Sequence, residues 1–115
     1  MLPNATSCAK IGYKKVNPHM INPVNAIVIN ESDNVATAMA DLFEGEVGRF
    51  MSEGKIMEIS VVESIPQYHK FAIRHILRSE MILKYGEIIG QATCDISAGS
   101  HVHVHNMASP GRSDI

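Results

Sequence analysis

The residues best suited to chemistry lie near the C-terminus, in His101-Val102-His103-Val104-His105. Side chains alternate between the two faces of a β-strand, so a strand here puts three imidazoles on one side and two valines on the other. Same-face neighbours sit about 7 Å apart at Cα, near enough for two rings to meet one ion. Neutral imidazole is the commonest transition-metal ligand, and a third ring on the same strand reaches that ion only where the strand bends. Two uses fit the pattern: a metal or acidic-substrate site, or rings paving a solvated face above core valines. An affinity tag is excluded, because tag histidines are contiguous.

A second group is Ile65-Pro66-Gln67-Tyr68-His69-Lys70. Pro66 sets a turn that lifts His69 and Lys70 together, a pair able to hold a carboxylate or move a proton, or simply to stand solvated. Lys84 to Thr93 contains Gly86 and Gly90 around an apolar pair, which suits a tight hairpin. It is not a phosphate loop, because no helix follows. Cys94 falls in an expected strand, where a free thiol is a small buried hydrophobe, and Met39, Met51, Met57 and Met81 occupy core-like positions.

These groups need a frame to hold them. Residues 1–24 carry Pro3, Pro18 and Pro23 with several asparagines and read as an arm of turns. Ala26-Ile27-Val28-Ile29 reads as the first buried strand. Ser32-Asp33 reads as the N-cap of a short helix, with Val35, Ala38, Met39 and Leu42 at helical spacing. Beyond Glu46 the pattern turns to short strands at 47–51, 56–62, 81–83 and 88–89, with a strand and turn inside 69–78. The domain proper runs over residues 25–107, a polar tail follows from Ala108, and the sequence shows no internal repeat.

A chain of 115 residues with 45% hydrophobic and 19% charged residues has the makings of one globular domain with a thin core, which a partner or self-association would help. Its net charge of −2, without a basic stripe, argues against nucleic acid and anionic membranes. Two cysteines and no secretory leader fit a cytoplasmic protein without a disulfide framework.

Taken in order, Asp33-Asn34-Val35-Ala36, Ile65-Pro66-x-x-His69-Lys70, Lys84-Tyr85-Gly86-x-x-Ile89-Gly90-x-Ala92-Thr93 and Asp95-Ile96-x-x-Gly99-x-His101-Val102-His103-Val104-His105-Asn106 resemble the SAF-type domain of the altronate and galactarate dehydratase family. The resemblance covers about residues 26–107. It implies a mostly β fold, the β-clip, with short curved strands and one or two short helices. In that family the domain is either the N-terminal part of a long sugar-acid dehydratase or a separate small subunit; the resemblance implies the second kind, pairing with a large dehydratase subunit in a homo- or hetero-oligomer, or an excised domain. The assembly would dehydrate a sugar acid with a divalent metal, iron in most of the family, or release sulfite from a sulfonate in the sulfolactate branch. SAF-type folds also serve as non-catalytic binding modules. By the same resemblance His69 and Lys70 are catalytic, Lys84 and Asn106 bind substrate, and His101, His103 and His105 hold metal. Two features depart from the family pattern: Tyr68 stands where glycine is usual, and residues 1–24 extend the chain.

Overall fold

The computed structural model describes residues 24–110, so the expected N-terminal arm and the end of the tail lie outside the described residues. The described residues form strands β1 (Ala26–Ile27), β2 (Val35–Ala38), β3 (Val47–Ser52), β4 (Lys55–Ser60), β5 (Lys70–Ala72), β6 (Met81–Lys84), β7 (Glu87–Ala92), β8 (His101–Val102) and β9 (Met107–Ala108). All pairings are antiparallel: a four-stranded sheet in the order β1-β2-β5-β8, a three-stranded sheet β9-β7-β6, and a ribbon β3-β4. The mostly β expectation is met. Ala108, read as the start of the tail, pairs with Gln91.

No α-helix occurs among the described residues, and the helix expected after Ser32-Asp33 is strand β2. The Asp33 carboxylate is used otherwise than in a helix cap. It accepts hydrogen bonds from the backbone N–H groups of Ile29 (3.2 Å), Asn30 (3.0 Å) and Gly86 (2.8 Å), binding one loop to the distant β6–β7 turn. Asn34 continues the seam, with its backbone N–H to the Leu83 carbonyl, its amide Nδ2 to the Met81 carbonyl and its Oδ1 accepting from Leu83 N–H. Neither face of β2 meets water. Val35, Ala72 and Val102 pack with Ile76, Ile82, Ala92 and Ile96 in one core cluster, while Ala36, Ala38 and Phe71 pack with Leu42, Phe50, Val61 and Ile65 in the other.

A turn recurs four times, a repeat that the sequence reading did not find. Glu46, His69, Glu80 and Ser100 donate their backbone N–H to the carbonyls of Phe43, Pro66, Leu77 and Ser97 respectively. The third residue of each turn has positive φ: Gly45 (90°), Tyr68 (70°), Ser79 (75°) and Gly99 (89°). Positive φ at that position defines a type II turn. A buried aliphatic residue precedes each one, and these residues bridge in pairs, Leu42 with Ile65 and Ile76 with Ile96. The carboxylates of Asp41 and Asp95 brace the pairs in equivalent ways, accepting from Gln67 N–H and Arg78 N–H at 2.8 Å each. The two halves of the domain are thus built on one plan.

Other expectations need correction. Cys94 is exposed in a bend beyond β7, because the chain leaves the sheet after Ala92. Met39, Met51 and Met57 are also exposed, the last two on the β3–β4 ribbon, where β3 buries Gly48 and Phe50 while β4 is exposed along almost its whole length.

Candidate functional site

Turn, strand and side-chain bond together place His69. The turn at 66–69 is pinned to the end of β2, with Tyr68 N–H donating to the Ala38 carbonyl (2.7 Å) and Ala38 N–H to the His69 carbonyl (2.8 Å). On β8, His101 is opposite Phe71 of β5, and its backbone N–H donates to the Glu63 carboxylate at 3.0 Å. The run His101 to His105 was expected to stay extended, but the strand ends at Val102. Asn106 ends it: its N–H donates to the His103 carbonyl, its Oδ1 accepts from His103 N–H (3.0 Å), and its Nδ2 donates to the His101 carbonyl (2.9 Å). The chain folds into a turn in which Val102 stays in the core and Val104, expected beside it there, is 78% exposed.

The bend folds His103 back over its neighbours. His69 Nδ1 lies 2.9 Å from His101 Nε2, the His69 and His103 rings stack at 4.6 Å between centroids, and His101 and His103 stack at 5.4 Å. One nitrogen from each of His69, His101 and His103 falls within 4.8 Å of the others. His105, expected among the metal ligands, is outside this trio, with its ring 5.4 Å from that of His101 and exposed to solvent. His69 takes its place in the cluster, brought in from the turn that precedes β5.

The electrostatics favour neutral rings at His101 and His103. Burial, and then the charges of His69, His105 and His103, push His101 below the ordinary imidazole range, with Glu63 pulling weakly the other way. His103 is lowered in the same sense by desolvation and by His69, Lys70 and His105. Metal–imidazole bonds of about 2.0–2.1 Å put the nitrogens of a shared ion roughly 3.3 Å apart, a few tenths of an ångström beyond the present His69–His101 approach. Three neutral nitrogen donors suit iron(II), zinc or a similar ion and do not suit calcium or magnesium, which take oxygen. The residues present therefore fit a transition metal.

The remaining expected site residues divide. Lys70 is next to His69 but points to the other face of the sheet, opposite Thr37 and Val102. Lys84 is at the end of β6, its Nζ 5.0 Å from the centre of the Tyr85 ring. Asn106 is buried, and its amide is engaged in holding the backbone of His101 and His103, so it positions the rings. Sequence reasoning missed Glu63, which anchors the His101 backbone, and the Thr37–Tyr85 contact. No local pattern marks either, because both depend on pairing between distant segments.

Comparison with known proteins agrees with the motifs. Residues 24–110 match the family described as the altronate/galactarate dehydratase SAF domain. The chain is 42% identical over 80 residues to altronate dehydratase of Bacillus subtilis and 40% identical over 80 residues to that of Escherichia coli, covering 70% of this chain but 15% of each relative. It is 32% identical over 87 residues to the (2R)-sulfolactate sulfo-lyase subunit alpha of Chromohalobacter salexigens, covering 73% of this chain and 93% of that subunit. No helix among the described residues is long and apolar enough to cross a membrane. On the match across residues 24–110 and these identities, the chain belongs to the altronate/galactarate dehydratase SAF-domain family.

Proposed function

We propose that this chain is the small subunit of a hydro-lyase acting on a sugar acid such as altronate or galactarate, and that a large partner subunit completes its active site. The observation that carries this reading is the convergence of His69, His101 and His103 at one point of the surface. A divalent transition metal, iron in the first instance, held by those three imidazoles would supply Lewis acidity toward the departing hydroxyl. Elimination beside a carboxylate also requires a base for the α-proton and cations to hold the negative charge that develops. Lys70 and Lys84 supply cationic charge, and His105, outside the trio and exposed, is placed to carry a proton. Among the described residues no carboxylate joins the three-histidine cluster, so further ligands and the base for the α-proton are assigned to the partner.

Two features support a partner. The altronate dehydratases are far longer than the stretch they share with this chain, and the sulfo-lyase relative is named as one subunit of an enzyme. Tyr68 and Val104 flank the imidazoles and are 65% and 78% exposed, leaving apolar surface at the rim that a second chain would cover. The near-complete coverage of the sulfo-lyase subunit favours a second reading, release of sulfite from sulfolactate by the same architecture.

The test is reconstitution with a candidate large dehydratase or sulfo-lyase subunit and an assay for 2-keto-3-deoxy acid and for sulfite. Activity of the pair and of neither chain alone is expected. Sulfite as the product selects the second reading, and an inactive complex, or no complex, leaves the domain a non-catalytic binding module.

A further inference from the structure

Beside the imidazoles lies a second group of polar side chains that the metal site does not use. Thr37 of β2 is directly opposite Lys70 of β5, which is opposite the fully buried Val102 of β8. The Lys70 side chain therefore has Thr37 and Val102 as its cross-strand neighbours, on the sheet face opposite that of His101 and Phe71. The Asp33 and Asn34 bonds to Gly86 and Leu83 hold the β6–β7 hairpin against β2. That placement sets the Tyr85 hydroxyl 3.4 Å from Thr37 Oγ1 and the Lys84 ammonium 5.0 Å from the Tyr85 ring.

The group is short of negative charge. Neither lysine is in an ion pair among the described residues, and Glu87, opposite Lys84 across the hairpin turn, makes none with it. Two cations without an ion-pair partner, one opposite Thr37 and the other over the Tyr85 ring whose hydroxyl meets Thr37, make a place for an anion.

We propose that Lys70, Lys84, Thr37 and Tyr85 form a subsite for the anionic end-group of the substrate, a carboxylate or a sulfonate, at the edge of the three-histidine cluster. This deepens the lyase reading and rests on it for the identity of the ligand, though its own test does not require catalysis or metal.

The test is calorimetric titration of the full 115-residue chain in the presence of a chelator, with galactarate, sulfolactate and uncharged galactitol as probes. Galactarate or sulfolactate binds and galactitol does not; the tighter of the two acids identifies the end-group. Lys84→Gln, on the hairpin and clear of the core, weakens acid binding about tenfold, as loss of one charge-assisted contact predicts. Lys70→Gln does the same, and Tyr85→Phe weakens it about threefold, as loss of a neutral hydrogen bond predicts. Equal binding by wild type and Lys84→Gln overturns the proposal, as does absence of acid binding to the wild type. Acid binding that depends on Lys84, in a chain whose reconstituted complex shows no lyase activity, keeps the subsite and removes the lyase reading.

Discussion

Replacing Asp33 by Asn keeps the shape of the side chain and removes its ability to accept on both sides. In the native chain Oδ2 takes the Ile29 and Asn30 N–H groups while Oδ1 takes Gly86 N–H. An amide has one accepting oxygen, so its NH2 must face either the loop donors or the hairpin donor, and at least one charge-assisted bond is lost. Asp33 is only 2% exposed, so water does not replace that bond. Hydrogen bonds to charged groups contribute about 1.5–3 kcal/mol, and loss of one or two with partial relaxation costs about 2–4 kcal/mol. At roughly 4–8 °C per kcal/mol for a domain this small, the melting temperature falls by about 10–25 °C.

Acid supplies an internal control. Burial raises the Asp33 carboxyl, but the N–H groups of Asn30, Gly86, Tyr85 and Ile29 outweigh it and hold the folded-state pKa below the ordinary 3.8. A depressed carboxylate stabilises the fold above its unfolded pKa and loses that contribution as pH falls through the folded value. Thermal unfolding followed by circular dichroism between pH 7 and pH 3 should thus show a wide gap between wild type and Asp33→Asn at neutral pH that narrows below about pH 4. A shift under about 3 °C at pH 7, or a gap independent of pH, would refute the assignment of Asp33 as the clasp between loop and hairpin.

Tyr68 has a φ of 70°, which costs a side chain about 1–2 kcal/mol, part of it offset by the greater unfolded-state entropy of glycine, so Tyr68→Gly should raise stability by about 0.5–1 kcal/mol in a denaturant titration. Gly99 and Gly45 share nearly the same φ, yet a Cβ at Gly99 runs into the Ser60 carbonyl oxygen and one at Gly45 meets nothing. Gly99→Ala should consequently cost more than about 3 kcal/mol and Gly45→Ala only about 1, measured in the same way. Cobalt(II) or zinc binding to the chain should be tight at pH 7.5 and fall away below about pH 6, because protons compete for the imidazoles. The variant with His101→Asn and His103→Asn should fold and lose this binding, since neither ring is in the core and Val102 is kept.

Much of the frame is legible because β-hairpins announce themselves locally: β3 to β4 and β6 to β7 are apolar runs with a glycine-containing turn between. Strand β2 is not legible in that way. Val35-Ala36-Thr37-Ala38 is buried on both faces, so it lacks the alternation that marks a half-exposed strand, and Val35, Ala38 and Leu42 coincide with a helical spacing. The three-histidine cluster was half readable. Alternation correctly placed His101 opposite Val102, but the end of the strand depends on Asn106 reaching back to His101 and His103, and the third ring comes from a turn some thirty residues away. The fourfold turn escaped notice because its conformation is carried by the backbone while the residue at positive φ varies among Gly, Tyr and Ser.

That repeat explains how one turn came to supply an imidazole to the cluster. In two of the four turns the last residue closes the turn upon itself: Glu46 Oε1 accepts from Phe43 N–H and Glu80 Oε1 from Leu77 N–H, each at 2.8 Å. The equivalent residue in the second turn is His69, and the equivalent donor would be Pro66, which has no N–H. Nothing in that turn requires a capping side chain, so position 69 is free to face outward, where its ring meets His101 at 2.9 Å. A double-mutant cycle tests the argument. His69→Glu alone gains no turn bond, whereas His69→Glu combined with Pro66→Ala restores donor and acceptor together and should show a favourable coupling of about 0.5–1.5 kcal/mol. The double variant, whose carboxylate is drawn into the turn, should lose metal binding, whereas His69→Glu alone keeps a carboxylate ligand beside His101 and His103. Coupling within about 0.3 kcal/mol of zero would show that proline at 66 does not release the side chain at 69, and that the cluster owes His69 to something other than the missing cap.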